Sequence, residues 1–139
     1  MARKLILASH GKFASGILSS LQLICGTNQN ISTLDCYLTE DFDLSTAVKE
    51  IMSKNQEEEV VVITDLFGGS VNNEFLKYIH RQNFYLVAGL NLPFLIDFVT
   101  KFELTDSLFQ LIEHTLDTSK KSIQFCNQTI EQEVAEEEF

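Results

Sequence analysis

Residues 59–67 read EVVVITDLF, and the reading of this stretch decides the fold. Its β-branched residues fill both alternate faces, the pattern of a strand buried on two sides rather than one. Such strands occur in parallel sheets whose two faces are covered by helices. The run closes at Asp65 and at the glycine pair Gly68-Gly69.

Working outward, the same alternation of strand and helix recurs. Upstream, RKLILAS (3–9) is an apolar run of strand length bounded by charge on one side and by His10-Gly11 on the other. From about Ala14 to Cys25, Ile17, Leu18, Leu21 and Ile24 fall at helical spacing, with Gly26 placed to end the helix. ISTLDCYL (31–38) predicts a second strand, and Asp43 is an N-cap for a helix whose stripe is Leu44, Ala47, Val48 and Ile51. Downstream, a helix from Ser70 or Val71 to His80 buries Phe75, Leu76 and Ile79, and NFYLVAGL (83–90) is a fourth strand. LPFLIDFVTKF opens another helix with Pro93 in its first turn, where a missing N–H does no harm. A helix from about Thr105 to Leu116 then precedes KSIQFC (121–126), a short last strand.

Strand-helix units in series, joined by right-handed crossovers, give an open α/β sheet of the doubly wound kind with four parallel strands. Residues 1–126 form a single domain, and 127–139 form an acidic C-terminal tail, read as a solvated end. A chain of 139 residues suits one compact core, and its 45% apolar and 22% charged residues are ordinary for a globular protein. No apolar run reaches the roughly 18 residues of a spanning helix, and the start MARKLILASHGK is too short in apolar residues for a secretory signal, so a cytoplasmic protein is expected. The net charge of −10 excludes nucleic acid as a partner class, because that binding draws on lysine and arginine. Cys25, Cys36 and Cys126 are odd in number, widely spaced and set among apolar neighbours, and are read as reduced core thiols.

In doubly wound sheets ligands sit beyond the carboxyl ends of the strands, where strand order reverses. That rule selects Ser9, His10 and Gly11, then Asp65 with Gly68, Gly69 and Ser70, and then Gly89 to Pro93. With the first and third strands as central neighbours, His10 and Asp65 face one crevice. A carboxylate accepting from one ring nitrogen fixes the tautomer and leaves the other lone pair free to act as nucleophile or base. A Gly-Gly-Ser turn opening a helix adds backbone N–H groups and a hydroxyl suited to phosphate. Together these residues point to transfer of a phosphoryl group onto and off His10. Each also admits a plainer role: a solvent-facing histidine, an aspartate that shapes a turn, glycines that only allow close packing. His80 and His114 are read as surface residues, without carboxylates at metal-ligand spacing.

The stretches SHGKFASG around His10, TDLFGGSVNNEF around Asp65 and AGLNLPFL after the fourth strand resemble the mannose-type (mannose/fructose/sorbose) family of enzyme IIA components of the phosphoenolpyruvate-dependent sugar phosphotransferase system. The similarity runs from Lys4 to about Cys126, with one departure, Val71, where the family usually has proline. The resemblance implies that His10 is phosphorylated at Nε2 by the histidine-containing phosphocarrier protein and passes the group to a IIB component, linked to the membrane only through IIC and IID components. It implies that Asp65 holds Nδ1–H, that Ser70 assists the phosphate, and that Gly68-Gly69 lets the backbone approach it. It implies no cofactor and no metal, consistent with a transfer that needs in-line positioning and charge stabilisation. It also implies a homodimer whose last strand, here 121–126, pairs antiparallel with the partner's sheet. Of Phe67, Phe75, Phe94, Phe98, Phe102 and Phe109, most belong to the core, and Phe67 can also offer the phosphocarrier an apolar patch.

Two other functions compete. One is the related phosphotransfer subunit that feeds dihydroxyacetone kinase, in which DLFGGS is not expected. The other is a regulatory module on the same fold that transfers nothing, against which His10 and Asp65 both stand. The chain ends without a hinge into a fused IIB domain, suggesting a free-standing subunit, and nothing in it specifies the sugar.

Overall fold

The computed structural model describes residues 1–137, with side chains through Val134. Its elements are β1 (Arg3–His10), α1 (Phe13–Cys25), β2 (Ile31–Cys36), α2 (Leu44–Lys54), β3 (Glu59–Thr64), α3 (Ser70–Leu76), β4 (Phe84–Ala88), α4 (Leu92–Val99), α5 (Leu108–Ser119) and α6 (Cys126–Glu137). The four strands pair in parallel in the order β2-β1-β3-β4, so the order reverses between β1 and β3.

Strand alternation divides the core in two. Leu5 and Leu7 of β1 with Val61 and Ile63 of β3 face α1, α4 and α5, while Ile6, Ala8, Val60 and Val62 face α2 and α3. The first layer is filled by Phe94, Phe98 and Phe102, at most 1% exposed, whose rings meet edge to face at 5.4 and 5.6 Å. Full burial of one such side chain stabilises the fold by roughly 1.5–3 kcal/mol.

Helix starts follow the capping rules. Asp43, Asn91 and Ser107 each accept the N–H three residues on. The Ser107 cap fixes the start of α5 at Leu108, three residues after the predicted Thr105. Helix α3 stops at Leu76 rather than His80, because from Lys77 to Ile79 the backbone N–H groups bond carbonyls three residues back, a tighter winding that turns the chain outward. Leu76 and Ile79 are accordingly 40% and 42% exposed, not buried as expected.

Three further points concern the C-terminal segment, the acidic tail and the cysteines. The short last strand at 121–126 does not form within this chain: α5 runs on into a 3-10 turn at Lys120–Ser122, and α6 begins at Cys126. A strand exists only against a neighbouring ladder, and this segment lies along no strand of its own sheet. The acidic tail is helical from Cys126 to Glu137, and its last residues, Glu138 and Phe139, lie outside the described residues. Only Cys36 is a core thiol, since Cys25 and Cys126 are exposed near the ends of α1 and α6, and Phe109 also faces outward. His80 and His114 are both exposed, as read from sequence, although His80 lies in a turn. Among the described residues no helix is long and apolar enough to cross a membrane.

Candidate functional site

The site is assembled where β1, β2 and β3 end together. In register, Ala8 lies opposite Thr64 and His10 opposite Cys36, so His10 on β1 and Asp65 just past β3 emerge side by side. Behind them, Gly11 turns at φ +59° and its N–H is held by the Cys36 carbonyl at 2.8 Å. Ser9, fully buried one residue before, accepts the Ala14 N–H at 2.7 Å and so caps α1 from inside the strand. This bond and the Gly11 contact fix the chain on both sides of His10.

Asp65 holds His10 twice. Its Oδ2 accepts the His10 backbone N–H at 2.9 Å and meets the ring Nδ1 at 2.7 Å, while Oδ1 accepts the Leu66 N–H at 3.1 Å. Burial alone would raise this carboxyl, but hydrogen bonds from the His10 N–H and ring, and the ring's charge, outweigh it and hold Asp65 below its ordinary value. A carboxylate only accepts, so Nδ1 carries the proton and Nε2 keeps the lone pair in the neutral ring. The His10 side chain is 42% exposed and that of Asp65 11%, an open ring beside a sheltered partner.

On the Nε2 side stands Ser70, its Oγ 3.3 Å away. The glycines explain how the turn fits. Gly68 has φ +83°, where L side chains are strained, and a Cβ on Gly69 would come within 3.1 Å of Leu66 Cγ and 3.3 Å of His10 Cε1. His10, Asp65, Gly68, Gly69 and Ser70 are thus brought together as the sequence predicted. Asn91 serves α4 as its cap, and a groove of about 410 Å³ lined by Asp65, Leu90, Asn91, Leu116, Lys120 and Ile123 opens beside the pair. A cleft of about 500 Å³ at the other end of the sheet, lined by Cys25, Gly26 and Glu103, is far from these groups, so size does not locate the chemistry.

One residue escaped the sequence reading. Tyr37 follows β2, stacks on the His10 ring with centroids 5.5 Å apart and planes inclined 28°, and places its hydroxyl 2.8 Å from Ser70 Oγ. Phe42 meets the phenol edge-on, with ring centroids 5.3 Å apart. Tyr37 has φ +65°, a left-handed conformation costing a bulky residue about 1–3 kcal/mol. Its signal was available, since the rule that singled out the ends of β1 and β3 applies to β2 as well. Extending that strand to Leu38 hid it. Next door, the Cys36 thiol is pushed up to about 11 by burial and then by Asp65 and Asp35, so it stays protonated at neutral pH.

Known proteins share this arrangement of chain. The model of the family described as the phosphotransferase system (PTS) fructose IIA component matches residues 4–116. The fructose-specific EIIA component of Bacillus subtilis (strain 168) is 27% identical over 132 residues, covering 91% of this chain and 88% of that protein. The mannose-specific EIIAB component of Escherichia coli (strain K12) is 18% identical, over 88% of this chain but only 39% of its own length. A crystal structure from Klebsiella pneumoniae subsp. pneumoniae MGH 78578, described provisionally as a phosphoenolpyruvate-dependent sugar phosphotransferase system permease, superposes with TM-score 0.89 at 45% identity, covering 94% and 95% of the two chains. The mannose/sorbose-specific IIA subunit of Enterococcus faecalis shares the fold, with TM-score 0.78 at 23% identity over 89% of this chain and 94% of that one. With a parallel sheet whose central strand ends in a carboxylate-held histidine, and with a family match over most of its length, this chain belongs to the IIA components of the sugar phosphotransferase system.

Proposed function

We propose that His10 is the residue phosphorylated in this chain, receiving the group from the histidine-containing phosphocarrier protein and passing it to a IIB component during sugar uptake. The observation that carries this reading is the 2.7 Å contact of Nδ1 with Asp65, which reserves Nε2 for chemistry on the exposed side of the ring. The Nε2 lone pair attacks the phosphorus, the N–P bond of the donor breaks, and the donor imidazole recovers its electron pair. The Nδ1 proton stays with His10, where the Asp65 carboxylate balances the positive charge that develops on the ring. Ser70 supplies a hydroxyl for a phosphoryl oxygen, and the Gly68-Gly69 turn gives the incoming group room. Return of the group to a IIB acceptor reverses these steps. This transfer is metal-independent, because positioning and charge stabilisation carry it.

The test is incubation of the protein with phosphoenolpyruvate, the general phosphotransferase enzyme and the phosphocarrier, followed by mapping of the label. Label on His10, lost completely in His10→Ala, is the expected result. A stable label on any other residue, or an unaltered His10→Ala, overturns the assignment.

The same reading assigns residues 1–126 to the phosphotransfer domain and makes the chain a homodimer. What supports the dimer is the row of exposed apolar side chains Ile123, Phe125, Ile130 and Val134, 50–92% exposed. Within it, the antiparallel edge strand anticipated at 121–126 is a pairing made only between two copies. Removal of residues 119–139 should then yield a monomer by sedimentation, and an unaltered dimer refutes the assignment.

A further inference from the structure

We propose that Tyr37 is a positioning residue for this transfer: it orients the Ser70 hydroxyl toward Nε2 of His10 and holds the imidazole plane by stacking. The proposal rests on the reading of His10 given above. Three contacts form one directed chain. Asp65 accepts from Nδ1–H, so Nε2 has a lone pair to receive a proton donor. Ser70 Oγ, 3.3 Å away, is the hydroxyl that faces it. A serine hydroxyl turns freely, and what settles its direction here is the Tyr37 O–H, 2.8 Å away, donating to Ser70 Oγ so that the serine proton is left to point at Nε2. The distance of 3.3 Å is long for an O–H···N bond, so the same hydroxyl can swing from the lone pair to a phosphoryl oxygen once the nitrogen is occupied. Meanwhile the phenol ring, braced by Phe42, lies over one face of the imidazole. That Tyr37 keeps φ +65° to reach this place is the mark of a conformation held for its contacts.

The experiment combines Tyr37→Phe, which keeps the stack and removes the hydroxyl, with Ser70→Ala and the double variant. Transfer from the phosphocarrier is measured at varied carrier concentration. The nitrogen resonances of His10 are recorded on the unphosphorylated proteins. Loss of one neutral hydrogen bond predicts that Tyr37→Phe lowers the maximal rate about 3- to 10-fold with KM for the carrier within about twofold. In the Ser70→Ala background it should cause no further loss, because Tyr37 acts through Ser70. The Nε2 resonance should move toward that of an unbonded lone pair in both single variants, while Nδ1 stays protonated. Multiplying rate losses, an effect on KM alone, or an unmoved Nε2 resonance in Tyr37→Phe overturns the proposal. A wild-type protein that accepts no phosphoryl group overturns the parent reading instead, and the nitrogen spectrum still decides the Tyr37 contact by itself.

Discussion

The body of β3 and the turn that follows it are consecutive in sequence and opposite in character. From Val60 to Thr64 every residue is at most 1% exposed, whereas Leu66 and Phe67, only a few positions later, are 50% and 81% exposed. The strand is held by packing on both faces; the turn is held by glycine geometry and by two hydrogen bonds to Asp65 from His10. Stability therefore resides in the layers behind the site, and reactivity in a rim that contributes little to them.

Substitutions on each side can break or sharpen that contrast. The largest effect is expected from Phe98→Ala, which removes a fully buried ring touching both Phe94 and Phe102. It should cost about 3–5 kcal/mol in denaturant unfolding and leave phosphoryl transfer by the folded fraction intact. Asp65→Asn comes next: the amide carries no charge and can turn its NH₂ toward Nδ1, favouring the wrong tautomer, so transfer should slow about 100-fold in rapid-quench assays.

The same variant bears on acid stability. The Asp65 carboxyl is held low in the folded protein, so its contribution is full above about pH 4, the ordinary unfolded value, and fades as pH falls through the folded value. Thermal melts should show wild type exceeding Asp65→Asn above about pH 4, the margin closing as pH falls below that value and the carboxyl takes up its proton. A margin that stays unchanged as the carboxyl is protonated in strong acid would contradict the hydrogen-bonded carboxylate. The smallest effect belongs to Phe67→Ala, which should raise KM for the phosphocarrier about 3- to 10-fold without shifting the melting temperature. An unchanged KM removes Phe67 from the docking surface.

What could be read from the sequence follows the same divide. Valine-rich β3, the helices at 3.6 spacing and the helix-start residues Asp43 and Pro93 announce the layers, because burial on both faces leaves a periodic trace in one dimension. The ends of the first and third strands could be singled out, since sheet topology places them together. Tyr37 could not be recognised as part of the site while it was counted inside a strand, and its left-handed backbone is set by contacts distant in sequence. The C-terminal segment is illegible for another reason. KSIQFC has the residue types of a strand, but no ladder of its own sheet runs beside it, and composition does not say where a neighbour lies. Cys25 and Ile24 follow an apolar pattern yet lie on the exposed last turn of α1, beyond the reach of the sheet.

The paired ends of β1 and β3 impose an arithmetic on this protein. With Ala8 fixed opposite Thr64, the imidazole and its carboxylate meet only because each strand contains a set number of residues before its exit. Inserting one residue between Leu5 and Ala8 would turn the histidine to the opposite face, and inserting two would restore the face but displace the ring by about 6.6 Å. Side chains along these strands can be exchanged for others of similar bulk, but insertions and deletions cannot be absorbed there. A change in chain length that keeps this pair together therefore has to fall in the loops, and the two strands serve as matched rulers cut to one length.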